Sequence, residues 1–368
     1  MIYHRDRRKR RHVPVAMLLA IGLSGCSPLP RRGAGPESQA VPAEPNAAAA
    51  RPEKIKLSLN FEPGTKTRYR VTTEAVTAME GPESADQENA SIASFPKVSE
   101  SSEVVFTQEI LGPLPGFPFR KKMAKWDSPE DVNTVVALIT IDQVRYMCKS
   151  SGQPDLAFDS REPADQNSPF AKLIGQSYTI EIDPFGYVPG IFNLRPARLA
   201  VRGPTPAHAA ALDLVSPSTI FLRHGYFSLP GPDAGSLNGG GRWRGVQQFT
   251  LRASGTEMNR LGTHRFEKNY RLENVEQQPE GNMAVVVFEG SPIPRRTTDS
   301  LSVEVPFLSC SYVGGGEFNV DAGRIEDYLE HLEMRIPLPG TGSMPAENPE
   351  GSVVIATRHS WVQRLELD

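Results

Sequence analysis

The chain has 368 residues, with 40 Lys and Arg against 43 Asp and Glu, a formal charge of −3. That balance lacks the basic excess of a nucleic-acid binder, and three cysteines are too few for a disulfide-built scaffold. The 31 Gly and 33 Pro make about 17% of the chain against an ordinary ~12%, which points to a turn-rich, mainly β protein; no run is long or apolar enough for several membrane-spanning helices.

The chain opens with a basic run, Arg5-Asp6-Arg7-Arg8-Lys9-Arg10-Arg11, followed by an apolar stretch from Val13 to Leu23 and then Leu23-Ser24-Gly25-Cys26. A basic segment before a short apolar one is an export signal, and about ten apolar residues are too few to span a bilayer. The ending resembles the lipobox of bacterial lipoproteins. The resemblance implies a signal peptide over 1–25, acylation of Cys26, a thiol chemically suited to that transfer, and lipid anchoring in the cell envelope. Several acyl chains on one residue hold a protein to a membrane where one chain binds only marginally. Ser27, rather than Asp, after the cysteine matches outer-membrane sorting in enteric-type bacteria. Without the signal, 34 basic residues face 42 acidic ones, a charge of −8. Residues 26–54 read as the lipidated cysteine and a disordered tether. From 27 onward they hold six Pro, seven Ala and no aromatic residue, too little to bury; the reach is roughly 30 Å as a coil or about 90 Å as an extended polyproline helix.

Residues 55–368 read as one β-rich domain. Lys56 to Phe61 alternates, Glu62-Pro63-Gly64-Thr65 turns, and Arg68 to Val71 resumes. Residues 78–103 are polar and read as a long loop or weak edge segment. Arg120-Lys121-Lys122 reads as solvated surface. Val135 to Cys148 is a strand in which Ile139 and Ile141 share one face and Val144, Tyr146 and Cys148 another; the slip at Asp142-Gln143 predicts a β-bulge. Residues 168–174 read as one short helix. Tyr178, Ile180 and Ile182 alternate, Asp183-Pro184-Phe185-Gly186 turns, and a strand returns from Val188. Pro204 to Val215, Ala-rich after Pro and Thr, is the expected helix. Alternation resumes at Phe249–Ala253, His264–Phe266 and Tyr270–Leu272; Asn282–Phe288 is a buried strand, and Trp361–Leu367 closes the chain. Ile325, Tyr328, Leu329 and Leu332 fit a helical stripe, while Leu332, Met334 and Ile336 fit a strand equally well. The segments from Gly175 to Val188 and from Gly316 to Ile325 share a strand, Asp-Gly turn, strand pattern. Two pseudo-repeated halves, or convergence of hairpins on Asp and Gly, both explain it.

The order of these pieces is similar to a family of uncharacterised bacterial lipoproteins and secreted proteins. The carrying residues are Phe61-x-Pro-Gly64 with Tyr69, Ile174-Gly175-Gln-Ser-Tyr178, Leu229-Pro230 before a Gly-rich run into Trp243, Tyr270-x-Leu272-x-x-Val275 with Ala284-Val285-Val286, and Gly316-x-Phe318-x-Val320-Asp321. The resemblance implies a curved antiparallel sheet or half-barrel with a few short helices, like that of lipoprotein carriers, and a strand over Ile325–Ile336. It brings no activity with it.

Chemistry-bearing motifs are sparse. No His pair has metal-ligand spacing, and no G-x-S-x-G or phosphate-binding Gly loop occurs. His331-Leu332-Glu333 is half of a deaminase signature without the P-C-x-x-C that must follow. Gly239–Gly241 and Gly314–Gly316 read as loops, bulges or strand entries. The acids Glu326, Asp327, Glu330 and Glu333 lack the spacing of a calcium loop and read as a solvated face. Cys148 and Cys310 remain after Cys26, and in an oxidising compartment they form a disulfide or stay as two buried thiols. The sequence thus predicts no catalytic residue, metal or cofactor. It predicts an envelope lipoprotein joined to the membrane by its N-terminal lipid, binding a lipophilic ligand or an envelope protein and no nucleic acid. A structural or assembly component and a hydrolase with dispersed residues are the alternatives.

Overall fold

The structure, a computed structural model, describes residues 54–80, 97–113, 134–151, 153–225, 227–231, 237, 239–252, 260–293, 307–337 and 353–367. All belong to the unit Arg51–Asp368. The signal segment, Cys26, the tether up to residue 53, the basic run at 120–122 and most of 231–241 lie outside the described residues.

Twelve strands among the described residues form a single antiparallel sheet. They are β1 Lys66–Glu80, β2 Lys97–Pro113, β3 Val135–Ser150, β4 Leu156–Asp159, β5 Ser177–Ile182, β6 Gly190–Phe192, β7 Arg242–Arg252, β8 Arg260–Gln278, β9 Gly281–Pro292, β10 Ser309–Asn319, β11 Arg324–Pro337 and β12 Val353–Leu365. The order across the sheet is β6-β5-β3-β2-β1-β12-β11-β10-β9-β8-β7, with β4 paired to β3 beside β5. The sheet is open and curved: β6 and β7 end it, and the concave face carries the core. The pairing of β1 with β12, the first and last strands, joins the two halves of the chain over thirteen residue pairs.

Alternation decides which side chains turn inward. On β11 the even residues Tyr328, Leu332, Met334 and Ile336 are buried, so the ambiguous stretch is a strand, as the family resemblance implied. On β3 the inward set changes from odd to even at Asp142: Val105 pairs with Gln143 and Phe106 with Ile141, leaving Asp142 as the bulged residue. Its carboxylate is held by Arg68 at 3.2 Å and Thr107 at 2.8 Å. The expected loop over 78–103 is corrected at both ends. β1 runs to Glu80 and β2 starts at Lys97, because polar residues such as Glu100 and Ser102 face a cavity rather than a packed core. Gly314–Gly316 are also not a loop but the middle of β10. A Cβ on Gly314 would overlap the Leu329 carbonyl and the Phe288 ring.

Apart from β5 and β6, residues 163–225 lie outside the sheet. A short turn of 3₁₀ helix at Pro163–Asp165 and a second at Pro169–Leu173 precede β5; α1 Arg195–Ala200, α2 Pro206–Leu214 and α3 Pro217–His224 follow β6. Thr205 and Ser216 cap α2 and α3 by accepting the His208 and Thr219 amides, and each helix has Pro in its first turn. The helix expected over 204–215 and the short one over 168–174 are both present. Residues 55–60 form no strand. They cross between distant parts of the chain: Ile55 and Leu237 exchange backbone hydrogen bonds, and the Leu59 and Asn60 amides donate to the carbonyls of Pro184 and Gly323, both at 2.8 Å. Gly323 has φ +60, and a Cβ there would strike Asn60.

Candidate functional site

The concave face is filled unevenly. β8 to β11 send large rings inward, among them Phe266, Tyr270, Phe288, Tyr312, Phe318 and Tyr328. β1, β2 and β12 send small ones, including Thr73, Ala75, Ser102 and Ala356. The space those small residues leave, covered by α2 and α3, is a cavity of about 700 Å³. Sites for one small molecule occupy roughly 300–1,000 Å³. Val71, Ala75, Val104, Met334 and Ala356 form an apolar floor with Thr73, Glu100, Ser102 and Arg358 between them; Leu214, Phe221 and Leu222 form the roof, and Gln247 on β7 closes a side. At the rim Phe221 and Val246 stay 41% and 54% exposed.

A buried polar cluster backs the wall nearest β7. Lys268 Nζ donates to Tyr328 Oη at 2.9 Å and to Glu330 Oε2 at 3.1 Å. The Tyr328 and Tyr312 hydroxyls donate to the same carboxylate oxygen at 2.9 and 2.7 Å. The Lys268 ammonium also stands 4.4 Å from the centre of the Phe288 ring and 4.8 Å from that of Tyr312. Burial pulls the Lys268 ammonium down to about 8, with Glu330 pulling the other way. Burial pushes the Glu330 carboxyl up, but Lys268 and Arg358 outweigh it and hold the group below its ordinary value. Lys268 and Glu330 thus form a buried ion pair, and Arg358 acts on the same carboxylate. Burial raises both tyrosines well above the ordinary phenol value, so they remain donors.

Gln247 joins this cluster to the cavity. Its Oε1 lies 2.9 Å from the Tyr312 hydroxyl, and its Nε2 is buried with no hydrogen-bond partner. Tyr312 has one proton, and the Glu330 carboxylate is the stronger acceptor. With the amide turned over, Nε2–H donates to the Tyr312 oxygen and Oε1 becomes the unpaired atom. In either orientation one amide atom of Gln247 is left buried and unpaired at the cavity wall.

A second, smaller cavity of about 110 Å³ lies between the crossing segment and α3, lined by Phe61, Tyr69, Phe106, His224 and Tyr328 among others. His224 Nε2 is 2.8 Å from the Tyr178 hydroxyl, and burial and Arg223 hold its imidazole well below the ordinary value. Arg223 is itself buried and donates to the Leu214 carbonyl at 2.9 Å, tying α3 to the end of α2.

Cys148 on β3 and Cys310 on β10 are free thiols, five strand spacings apart in the sheet, about 24 Å along it. Burial raises both thiols, Cys310 to about 11. Of the four acids read as a solvated face, Glu330 is 1% exposed, and Glu326 is bound by Arg324 and Arg364. His331 lies on the convex side opposite His359, with their Nδ1 atoms 3.2 Å apart. No group of three or more His, Cys, Asp or Glu among the described residues is placed to hold a metal ion, and no helix among them is long and apolar enough to cross a membrane. Lys268 went unnoticed in sequence. Its position in the alternation Phe266-x-Lys268-x-Tyr270-x-Leu272 puts it on the buried face, and that was the available signal.

No protein-family model matches this chain, and no curated protein does. Among solved structures it is similar to lipovitellin, in a study of lipid–protein interactions, with TM-score 0.39 and 13% identity over 84% of this chain and 26% of that one. It thus spans about a quarter of the lipovitellin chain. An outer membrane channel from Pseudomonas putida F1 gives TM-score 0.21 and 8% identity over 88% of this chain and 100% of that one. The secretin of the Salmonella type III secretion injectisome gives 0.16 and 8% over 83% and 62%.

Proposed function

We propose that this chain is a non-catalytic binding protein of the bacterial envelope that holds one lipophilic small molecule between the concave sheet and α2–α3. The carrying observation is the cavity of about 700 Å³, with an apolar floor and roof and two exposed apolar residues at its rim. Polar side chains, among them Thr73, Glu100, Ser102, Gln247 and Arg358, also line it. Here Val71, Ala75, Val104, Met334 and Ala356 face Leu214, Phe221 and Leu222. Anchoring through acyl chains on Cys26, with residues 27–54 as the tether, completes the reading. The support for the anchor is the basic, apolar and Leu-Ser-Gly-Cys succession of residues 5–26.

The test is extraction of the purified full chain with organic solvent and mass spectrometry of what is released. The expected result is a stoichiometric lipophilic compound from the wild-type chain and its loss from Ala75→Phe, which fills the cavity floor while leaving the aromatic half of the core untouched. Equal recovery from both chains, or none from the wild type together with no uptake of a fluorescent fatty acid, sinks the reading.

A further inference from the structure

We infer that His331 and His359 form a chelating pair on the convex face of the sheet that binds one divalent ion of the imidazole-preferring class, Zn²⁺ foremost. This site is separate from the cavity and does not depend on what the cavity holds. The two residues are 28 positions apart in the chain, so no local spacing reveals them. Antiparallel pairing of β11 with β12 sets them directly opposite each other. Residues so placed hold their Cβ atoms about 5 Å apart on one face. Their Nδ1 atoms are 3.2 Å apart. Two nitrogens bound to one tetrahedral zinc ion at about 2.0–2.1 Å lie roughly 3.3 Å from each other. The pair already stands at chelating separation. The rings are tilted by 31° with centres 4.1 Å apart, and an ion enters as they turn their Nδ1 edges toward it. Imidazole suits zinc, copper and nickel, whereas calcium and magnesium take oxygen.

The surroundings fit the same reading. β11 and β12 lie inside the sheet, each paired on both sides, so the backbone under the pair is fixed. Trp361, two residues further along β12, stacks on the His359 ring at 5.9 Å and 14° and limits its swing. The Glu333 carboxylate lies 4.0 Å from His331 Nε2. It draws the ring proton to Nε2 and leaves the Nδ1 lone pair for bonding, the part that carboxylates play behind metal-bound imidazoles. In the ion-free pair His359 Nδ1–H then donates to His331 Nδ1. An entering ion takes the place of that proton, which passes through solvent to His359 Nε2, so both imidazoles stay neutral. In register the pair is flanked by Val313 and Glu74, and along its own strands by Leu329, Glu333, Thr357 and Trp361. Two of these six are carboxylates and none is a cation, a field that favours an entering cation. Among the described residues no third His, Cys, Asp or Glu completes a cluster. The His331 side chain is 32% exposed, so water fills the remaining positions.

The experiment uses the full chain, stripped with a chelator and returned to metal-free buffer. Zn²⁺ is titrated calorimetrically into the wild type, His331→Gln and His359→Gln, with Ca²⁺ as the control ion. We expect each single variant to bind Zn²⁺ at least about tenfold more weakly than the wild type, since even the outer partners of a metal ligand are worth that much. Ca²⁺ should not distinguish the three chains. Loaded with Cu²⁺, the wild type should show electron spin resonance coupling to two ring nitrogens at this site, and each variant should lose one of them. Should one variant not fold, the other and the Cu²⁺ spectrum carry the comparison. Equal Zn²⁺ affinity in the wild type and in every folded variant places the ion elsewhere in the chain and overturns the assignment. No Zn²⁺ binding by the wild type leaves the pair as a hydrogen bond between two imidazoles and overturns it too. Ca²⁺ bound as tightly as Zn²⁺, and lost in the same variants, would assign the ion to carboxylates instead. None of these results bears on the cavity.

Discussion

Lys268 Nζ lies 3.1 Å from Glu330 Oε2, with their side chains 1% and 2% exposed, although β9 and β10 separate their strands. Three strand spacings are about 14 Å along a sheet, and two glycines open the way. Gly290 stands beside Lys268 in the register and Gly314 beside Glu330. A Cβ on the first would meet the Tyr312 ring, and one on the second the Phe288 ring. The missing side chains give the lysine, the glutamate and two rings a common space on the concave side.

Removing Lys268 takes from the buried Glu330 carboxylate the cation that bonds it and leaves only the two tyrosine hydroxyls and the influence of Arg358. Lys268→Met should therefore destabilise the fold by about 3–5 kcal/mol, and Lys268→Met with Glu330→Met by considerably less. Urea denaturation of the three chains checks this. A double variant as unstable as the single one would show that the tyrosines, not the ion pair, dominate.

Gly314 should tolerate no side chain. Gly314→Ala is expected to cost about 1–3 kcal/mol as overpacking, whereas Gly231→Ala, where a Cβ meets nothing within 4 Å, should lie within about 0.5 kcal/mol of the wild type. Thermal melts of both variants decide it.

His224 should make the fold acid-sensitive. Its folded pKa is held well below 6.5 by burial and by Arg223, so below about pH 6.5 the unfolded chain binds a proton that the folded one does not. Stability should fall with acid by up to about 1.4 kcal/mol per pH unit until the folded pKa is reached. His224→Gln keeps a hydrogen-bonding group near Tyr178 and should flatten that slope. Denaturation at pH 7 and pH 5 measures the difference, and identical slopes would refute it.

The thiols report on the anchor. Cys148 and Cys310 are free, so the chain purified from membranes and denatured without reductant should yield two reactive thiols when Cys26 is acylated. Three would mean an unmodified Cys26. In the native state both should react slowly, since burial raises their pKa values.

The sheet was legible where polar and apolar residues alternate without interruption. The Asp142 bulge was visible because a phase slip reverses the buried face, and the register bears it out. Ile325–Ile336 was undecidable locally, since tertiary pairing with β10 and β12 chooses the strand over the helical stripe. The cavity was illegible for a different reason. Its floor is made by small and polar residues on β1, β2 and β12, such as Thr73, Ser102 and Glu100, which read as solvated positions when the roof above them is unknown. Glu330 shows the same difficulty: a glutamate among acids reads as surface until Lys268, 62 residues away, is placed beside it.

The crossing segment at 55–60 has a mechanical consequence. Its backbone bonds reach Leu237 after the helices, Pro184 after β5 and Gly323 between β10 and β11. Tension applied to the chain ahead of Ile55 is borne by these bonds in series, loading the Leu237 bridge before the other two. A force that peels the segment would break its bonds to Pro184 and Gly323 and uncover the smaller cavity, which Leu59, Asn60 and Phe61 help to line. The segment thus ties the turn after β5 to the turn between β10 and β11, whose strands are not neighbours in the sheet.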